Sequence, residues 1–127
     1  MSRFLWICAG GAVGTGARYL LSGWTLLLLG TAFPWGTLAV NVLGSFLVSA
    51  LMHAALATKL IAPTLRLALT SGVLGGFTTY STFNYETLEY LREGAWRLAL
   101  LNVVATVLLC LVAGVAGLVF ARSIVGA

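Results

Sequence analysis

Apolar residues run almost unbroken along this chain, and a handful of charged positions divide it. The charges are Arg3, Arg18, Lys59, Arg66, Glu86, Glu89, Arg92, Glu93, Arg97 and Arg122. They leave uncharged runs at 4–17, 19–58, 67–85 and 98–121. A membrane-spanning helix needs about 20 apolar residues. The longest run has room for parts of two spans, and its middle, Gly30-Thr31-Ala32-Phe33-Pro34-Trp35-Gly36, is turn chemistry with an interfacial tryptophan. The pattern therefore predicts four transmembrane helices, over about 3–29, 36–57, 64–92 and 95–121. The period-two alternation of a β-barrel strand is absent, and backbone in lipid must satisfy its own polar groups, which leaves helices. The expected fold is an all-α membrane protein, with 1–127 forming a single four-helix domain.

Composition sharpens this picture. Hydrophobic residues make up 61% of the chain and charged residues 8%, with a mean hydropathy of +1.05. Soluble domains carry roughly 25% charged residues, so a water-facing surface cannot be clothed. No cleavable signal peptide is expected, because the first apolar stretch is too long for one. Four spans put both termini on one side, with Arg3, Lys59, Arg66 and Arg122; Arg92 and Arg97 fall on the other. That bias is weak, and such a chain could insert in both orientations. The net charge of +4 is too small and scattered for nucleic acid. Cys8 and Cys110 read as small buried hydrophobes. His53, the only histidine, reads as an interfacial residue near the end of the second helix, with no second ligand for a metal. No nucleophile–base pair is evident, so an enzyme is not expected.

The polar residues inside the spans carry the functional signal. Gly10 and Gly14 have the spacing that lets another backbone approach closely. Arg18 lies within the first apolar segment, where it either faces a bundle interior or snorkels to the headgroups. Asn41, Ser45 and Ser49 share one face of the second helix, and Asn102, Thr106 and Cys110 share one face of the fourth. Such stripes are interhelical glue or the wall of a polar path. The third helix is the least helix-like. Gly75-Gly76 followed by Thr78-Thr79 predicts a break near mid-span, tolerated only inside protein or along a wet cavity. A break frees carbonyls and N–H groups that channels and transporters use for ions. Tyr80 and Phe83, three apart, should stack just after it. No acid occurs before residue 86. Hydroxyl and amide donors, positive ring edges and an intramembrane arginine together suit a small anion.

The segment Gly75-Gly76-Phe77-Thr78-Thr79-Tyr80-Ser81-Thr82-Phe83 resembles the signature of the Fluc fluoride channels, also called CrcB. Gly10-Gly11, Gly14 and Arg18, the Gly36-Thr37-Leu38-Ala39-Val40-Asn41 start of the second helix, Glu86 and Gly94 match as well. The resemblance spans essentially the whole chain. It implies an antiparallel, dual-topology homodimer in the inner membrane, with two pores that pass fluoride passively out of the cell. It assigns Tyr80 and Phe83 to a box of ring edges, Asn41, Ser81 and Thr82 to the pore wall, and Arg18 to a vestibule. It maps a polar track of the fourth helix onto Thr106, Cys110 and Gly114, and places a structural sodium ion between the two copies on the carbonyls of Gly75 and Thr78. Fluoride holds its water tightly, so fixed donors must replace that water.

Three positions depart from the family pattern. Tyr80 stands where phenylalanine is usual, Asn84 where serine is usual, and Cys110 and Gly114 weaken the polar track. The Tyr80 hydroxyl needs a partner, which could be Asn41, Thr106 or the anion itself; the reading adopted is that Asn41 or Thr106 holds it. A small four-helix multidrug exporter is the alternative function, disfavoured because the first helix has no carboxylate. A purely structural subunit has no use for an interrupted helix.

Overall fold

The structure, a computed structural model, describes residues 1–58 and 61–126. Lys59, counted above among the end charges, lies outside them. The first two predicted helices form as α1 (Ser2–Leu29) and α2 (Trp35–Thr58). Gly30 ends α1 at a φ of 76°, its N–H reaching Leu26 O at 2.9 Å. The fourth predicted helix is α6 (Trp96–Val125), which runs four residues past the predicted end and so includes Arg122. Among the described residues there is no strand.

The third predicted helix is not one span. It consists of α3 (Pro63–Leu67), a π-helical stretch (Ala68–Leu74), α4 (Gly75–Phe77) and α5 (Tyr80–Arg92). Three helices among the described residues, α1, α2 and α6, are long and apolar enough to cross a membrane. The break itself lies at Thr78 (φ −84°, ψ 158°) and Thr79 (φ −152°, ψ 115°), both extended. Gly75 keeps helical angles, so the glycine pair precedes the break instead of making it.

Gly76 serves packing, as do the small residues of α1. A Cβ on Gly76 would stand 2.6 Å from Gly11 O, and one on Gly10 would stand 2.5 Å from Ala68 O. Gly14 lies against the Val73 carbonyl, and Gly72 faces Ile7 O in the same seam. The small-residue spacing on α1 thus admits the π-helical stretch at backbone contact. Opposite this pair, α2 packs on α6, with Gly117 against the Phe46 backbone and the Phe46 and Phe120 rings 5.7 Å apart. Elsewhere apolar side chains face outward, among them Leu27, Leu28, Leu100 and Val112, as a lipid solvent allows and water does not. Cys8 is exposed, contrary to expectation. It sits two residues from Gly10, about 200° around the helix from the packed seam. Cys110 and His53 are half-buried, and His53 Nε2 is enclosed without a hydrogen-bond partner.

Candidate functional site

The break is held open by side chains that intercept helical hydrogen bonds. In an unbroken helix the Thr79 N–H would donate to Gly75 O. Here it donates to Asn41 Oδ1 at 2.8 Å, while Asn41 Nδ2 donates to Thr79 O at 2.9 Å. Both residues are buried. One turn on, the Thr82 N–H would seek Thr78 O, but it is taken by Thr79 Oγ1 at 3.2 Å as the N-cap of α5. The carbonyls of Gly75 and Thr78 are thereby released from the helical ladder. Arg18 reaches from α1 to donate to Thr78 O at 3.3 Å. It thus faces protein at the break, and the bundle-interior reading of Arg18 holds over snorkelling.

Beside the break lies a groove of about 540 Å³, lined by Asn41, Gly75, Thr78, Tyr80, Phe83 and Thr106 among others. These six, all singled out in the sequence, therefore meet on one surface, and no carboxylate lines it. Tyr80 and Phe83 stack as expected, with ring centroids 5.6 Å apart and planes tilted by 56°. Phe83 is buried, whereas Tyr80 is 76% exposed. The Tyr80 hydroxyl bonds neither Asn41 nor Thr106, which corrects the reading above. The Asn41 amide is already engaged by Thr79, and Thr106 Oγ1 is enclosed with no partner. That lone hydroxyl is notable, since buried polar groups are normally paired.

The two polar stripes divide in function. On α2, Asn41 clamps the break and Ser45 donates back to Asn41 O at 2.7 Å. On α6, Thr106 lines the groove, whereas Asn102 is fully buried and donates to Thr87 Oγ1 at 3.0 Å. Cys110 and Gly114 line a shallower pocket with Ser49, and Cys110 also borders the first groove.

Ser81 and Thr82 lie elsewhere. Ser81 is exposed and lines neither this groove nor the next. Thr82 lines a second groove of about 510 Å³ with Thr37, Tyr85, Glu86, Glu89 and Glu93. There the Thr37 hydroxyl donates to Glu86 Oε1 at 2.6 Å, and Glu86 Oε2 has no partner. The acid-free setting that suits a small anion is thus that of the first groove and not of the second. Three elements of the site stand outside what the sequence motifs assign: Thr79 as clamp and cap, the Thr37–Glu86 pair, and Asn102–Thr87. Only Thr79 left a local signal, a capping residue three positions before Thr82. The pairs join residues 49 and 15 apart.

Residues 5–118 match the family described as CrcB-like protein, Camphor Resistance (CrcB). The chain belongs to the CrcB family. It is 52% identical over 125 residues to the fluoride-specific ion channel FluC of Sorangium cellulosum, covering 98% of each chain. To the protein of the same name from Geobacter sulfurreducens it is 56% identical over 124 residues, 98% of this chain and all of that one. To that of Anaeromyxobacter sp. strain K it is 51% identical over 126 residues, 99% of this chain and all of the relative. This CrcB chain is a channel-family protein and not an enzyme.

Proposed function

We propose that the chain is a fluoride-specific channel that lets fluoride leave the cell down its electrochemical gradient. The observation that carries this reading is the acid-free groove, in which a buried, unpartnered Thr106 hydroxyl lies with the Phe83 and Tyr80 rings. A dehydrated fluoride needs donors that are already fixed and otherwise unspent, and ring edges supply further positive potential. The names carried by the relatives support the same ion. Asn41, Tyr80, Phe83 and Thr106 would line the path, with Arg18 toward a vestibule.

The finer reading is an antiparallel homodimer of dual topology with two pores, multi-pass in the inner membrane. The near-balanced end charges support it, as does the open groove with Tyr80 largely exposed beside it. A second copy would cover that ring. The carbonyls of Gly75 and Thr78 suit a structural sodium ion between the copies. Both residues line the groove, and carbonyl oxygens are neutral, hard ligands. Gly75 O is freed by the Asn41 clamp, and Thr78 O keeps one lone pair beside its bond from Arg18. Such an ion would supply fixed positive charge at the centre of the assembly.

The test is efflux from proteoliposomes loaded with fluoride or chloride. Rapid fluoride release with negligible chloride release is expected; equal rates, or none for fluoride, would overturn the reading. Thermal unfolding in sodium chloride against a bulky organic cation chloride tests the cation, with a higher midpoint expected in sodium.

A further inference from the structure

We propose that Asn102 and Thr87 form a positioning pair that sets where the Phe83 ring stands. The inference rests on the reading of Phe83 as part of the ion path. Asn102 is 1% exposed on α6 and lines neither groove, so it is not a wall residue. Its Nδ2 donates to Thr87 Oγ1 at 3.0 Å, and the Thr87 hydroxyl spends its only proton on Phe83 O at 2.8 Å. The chain of donors therefore has one direction, from α6 through Thr87 to the carbonyl of Phe83. A buried amide gains little stability over an apolar side chain of the same shape, so its presence calls for another purpose.

The need arises from the break. α5 begins at two extended residues, so no continuous helix fixes its rotation or its height. Its start is held by the Asn41–Thr79 clamp. Asn102–Thr87 ties α5 to α6 two turns along, and Phe83 lies between it and the clamp. The clamp and the Thr37–Glu86 bond both hold α5 to α2, and Asn102–Thr87 adds the tie to α6 that keeps this short rod from swivelling about its α2 side. A misplacement of about 1 Å at a reacting or coordinating group can cost on the order of a hundredfold.

The experiment compares fluoride efflux of Thr87→Val, Thr87→Ser, Asn102→Leu and Phe83→Ala with the full-length protein in liposomes. It is read alongside the 19F resonance of 4-fluorophenylalanine placed at position 83. Thr87→Val and Asn102→Leu should each lower efflux by roughly tenfold or more and shift or broaden that resonance. Thr87→Ser, which keeps the hydroxyl, should restore both to near the wild-type values. The double variant should be no worse than either single one, because the pair acts as a unit. Wild-type efflux and an unmoved resonance in Thr87→Val and Asn102→Leu, with Phe83→Ala inactive, would sink the proposal and leave the pore reading standing. Wild-type efflux in Phe83→Ala would sink both. Should neither Thr87→Val nor Asn102→Leu fold while Thr87→Ser does, the pair is structural and the proposal fails.

Discussion

Asn41 and Thr79, 38 residues apart, exchange two hydrogen bonds as two β-strand residues would, amide to backbone at 2.9 Å and 2.8 Å. Asn41 is thus spent chiefly on the break. Asn41→Ala removes both bonds, each worth about 0.5–1.5 kcal/mol, and should lower both stability and fluoride efflux. Asn41→Asp keeps an acceptor for the Thr79 N–H but sets an oxygen against Thr79 O and adds negative charge to the groove. Its efflux in proteoliposomes should fall below that of the alanine variant. Wild-type rates in both would remove Asn41 from the site.

Thr106→Val should separate stability from transport. The hydroxyl has no partner among the described residues, and an unsatisfied buried polar group costs about 1–3 kcal/mol. The valine variant is expected to unfold at a higher temperature in detergent and to pass fluoride roughly tenfold more slowly, equivalent to about 1.4 kcal/mol. Unchanged efflux would show that the hydroxyl serves no ion.

Tyr80→Phe should be mild. The tyrosine hydroxyl bonds neither Asn41 nor Thr106, and the ring, not its tip, faces Phe83. Fluoride selectivity over chloride should persist, with a rate change below about tenfold. Complete loss of flux would make the hydroxyl an essential ligand.

Two glycines of α1 make a controlled pair. A Cβ on Gly14 collides with the Val73 carbonyl, whereas Gly23 has open space around it. Gly14→Ala should cost about 1–3 kcal/mol or more, because backbone cannot step aside as a side chain can. Gly23→Ala should be neutral or stabilising by about 0.5–1 kcal/mol from helix propensity. Thermal unfolding in detergent reads both, and equal midpoints would contradict the seam described here.

The helix ends were legible because lipid forces hydrophobicity and helix length to agree, and α1 and α2 begin and end within a residue of where Arg3, Pro34 and Gly30 place them. The groove membership of Tyr80 and Phe83 was legible through the motif around the break, and that of Asn41 and Thr106 through the polar stripes of the second and fourth helices. The break just ahead of Tyr80 was legible too, but which of Gly75-Gly76 and Thr78-Thr79 opens was not. Gly75-Gly76 is the weaker helix former, but Gly76 is needed flat against α1. Thr78-Thr79 opens because donors and acceptors from α1 and α2 reach it. The π-helical stretch, which lies at backbone contact with Gly10 and Gly14, left no trace in sequence. The Thr37–Glu86 and Asn102–Thr87 pairs join helices whose registry only packing determines.

The bonds to Thr78 and Thr79 also imply an order of biogenesis. Unpaired backbone groups in hydrocarbon cost several kcal/mol each, so an isolated third span would enter the bilayer more cheaply as a continuous helix. Arg18 and Asn41 both precede the break in the chain. A ribosome making this protein therefore delivers the side chains that satisfy the interruption before the interruption itself emerges. A circular permutant that began at α3 would reverse that order and present the translocon with an opened backbone and nothing yet made to close it.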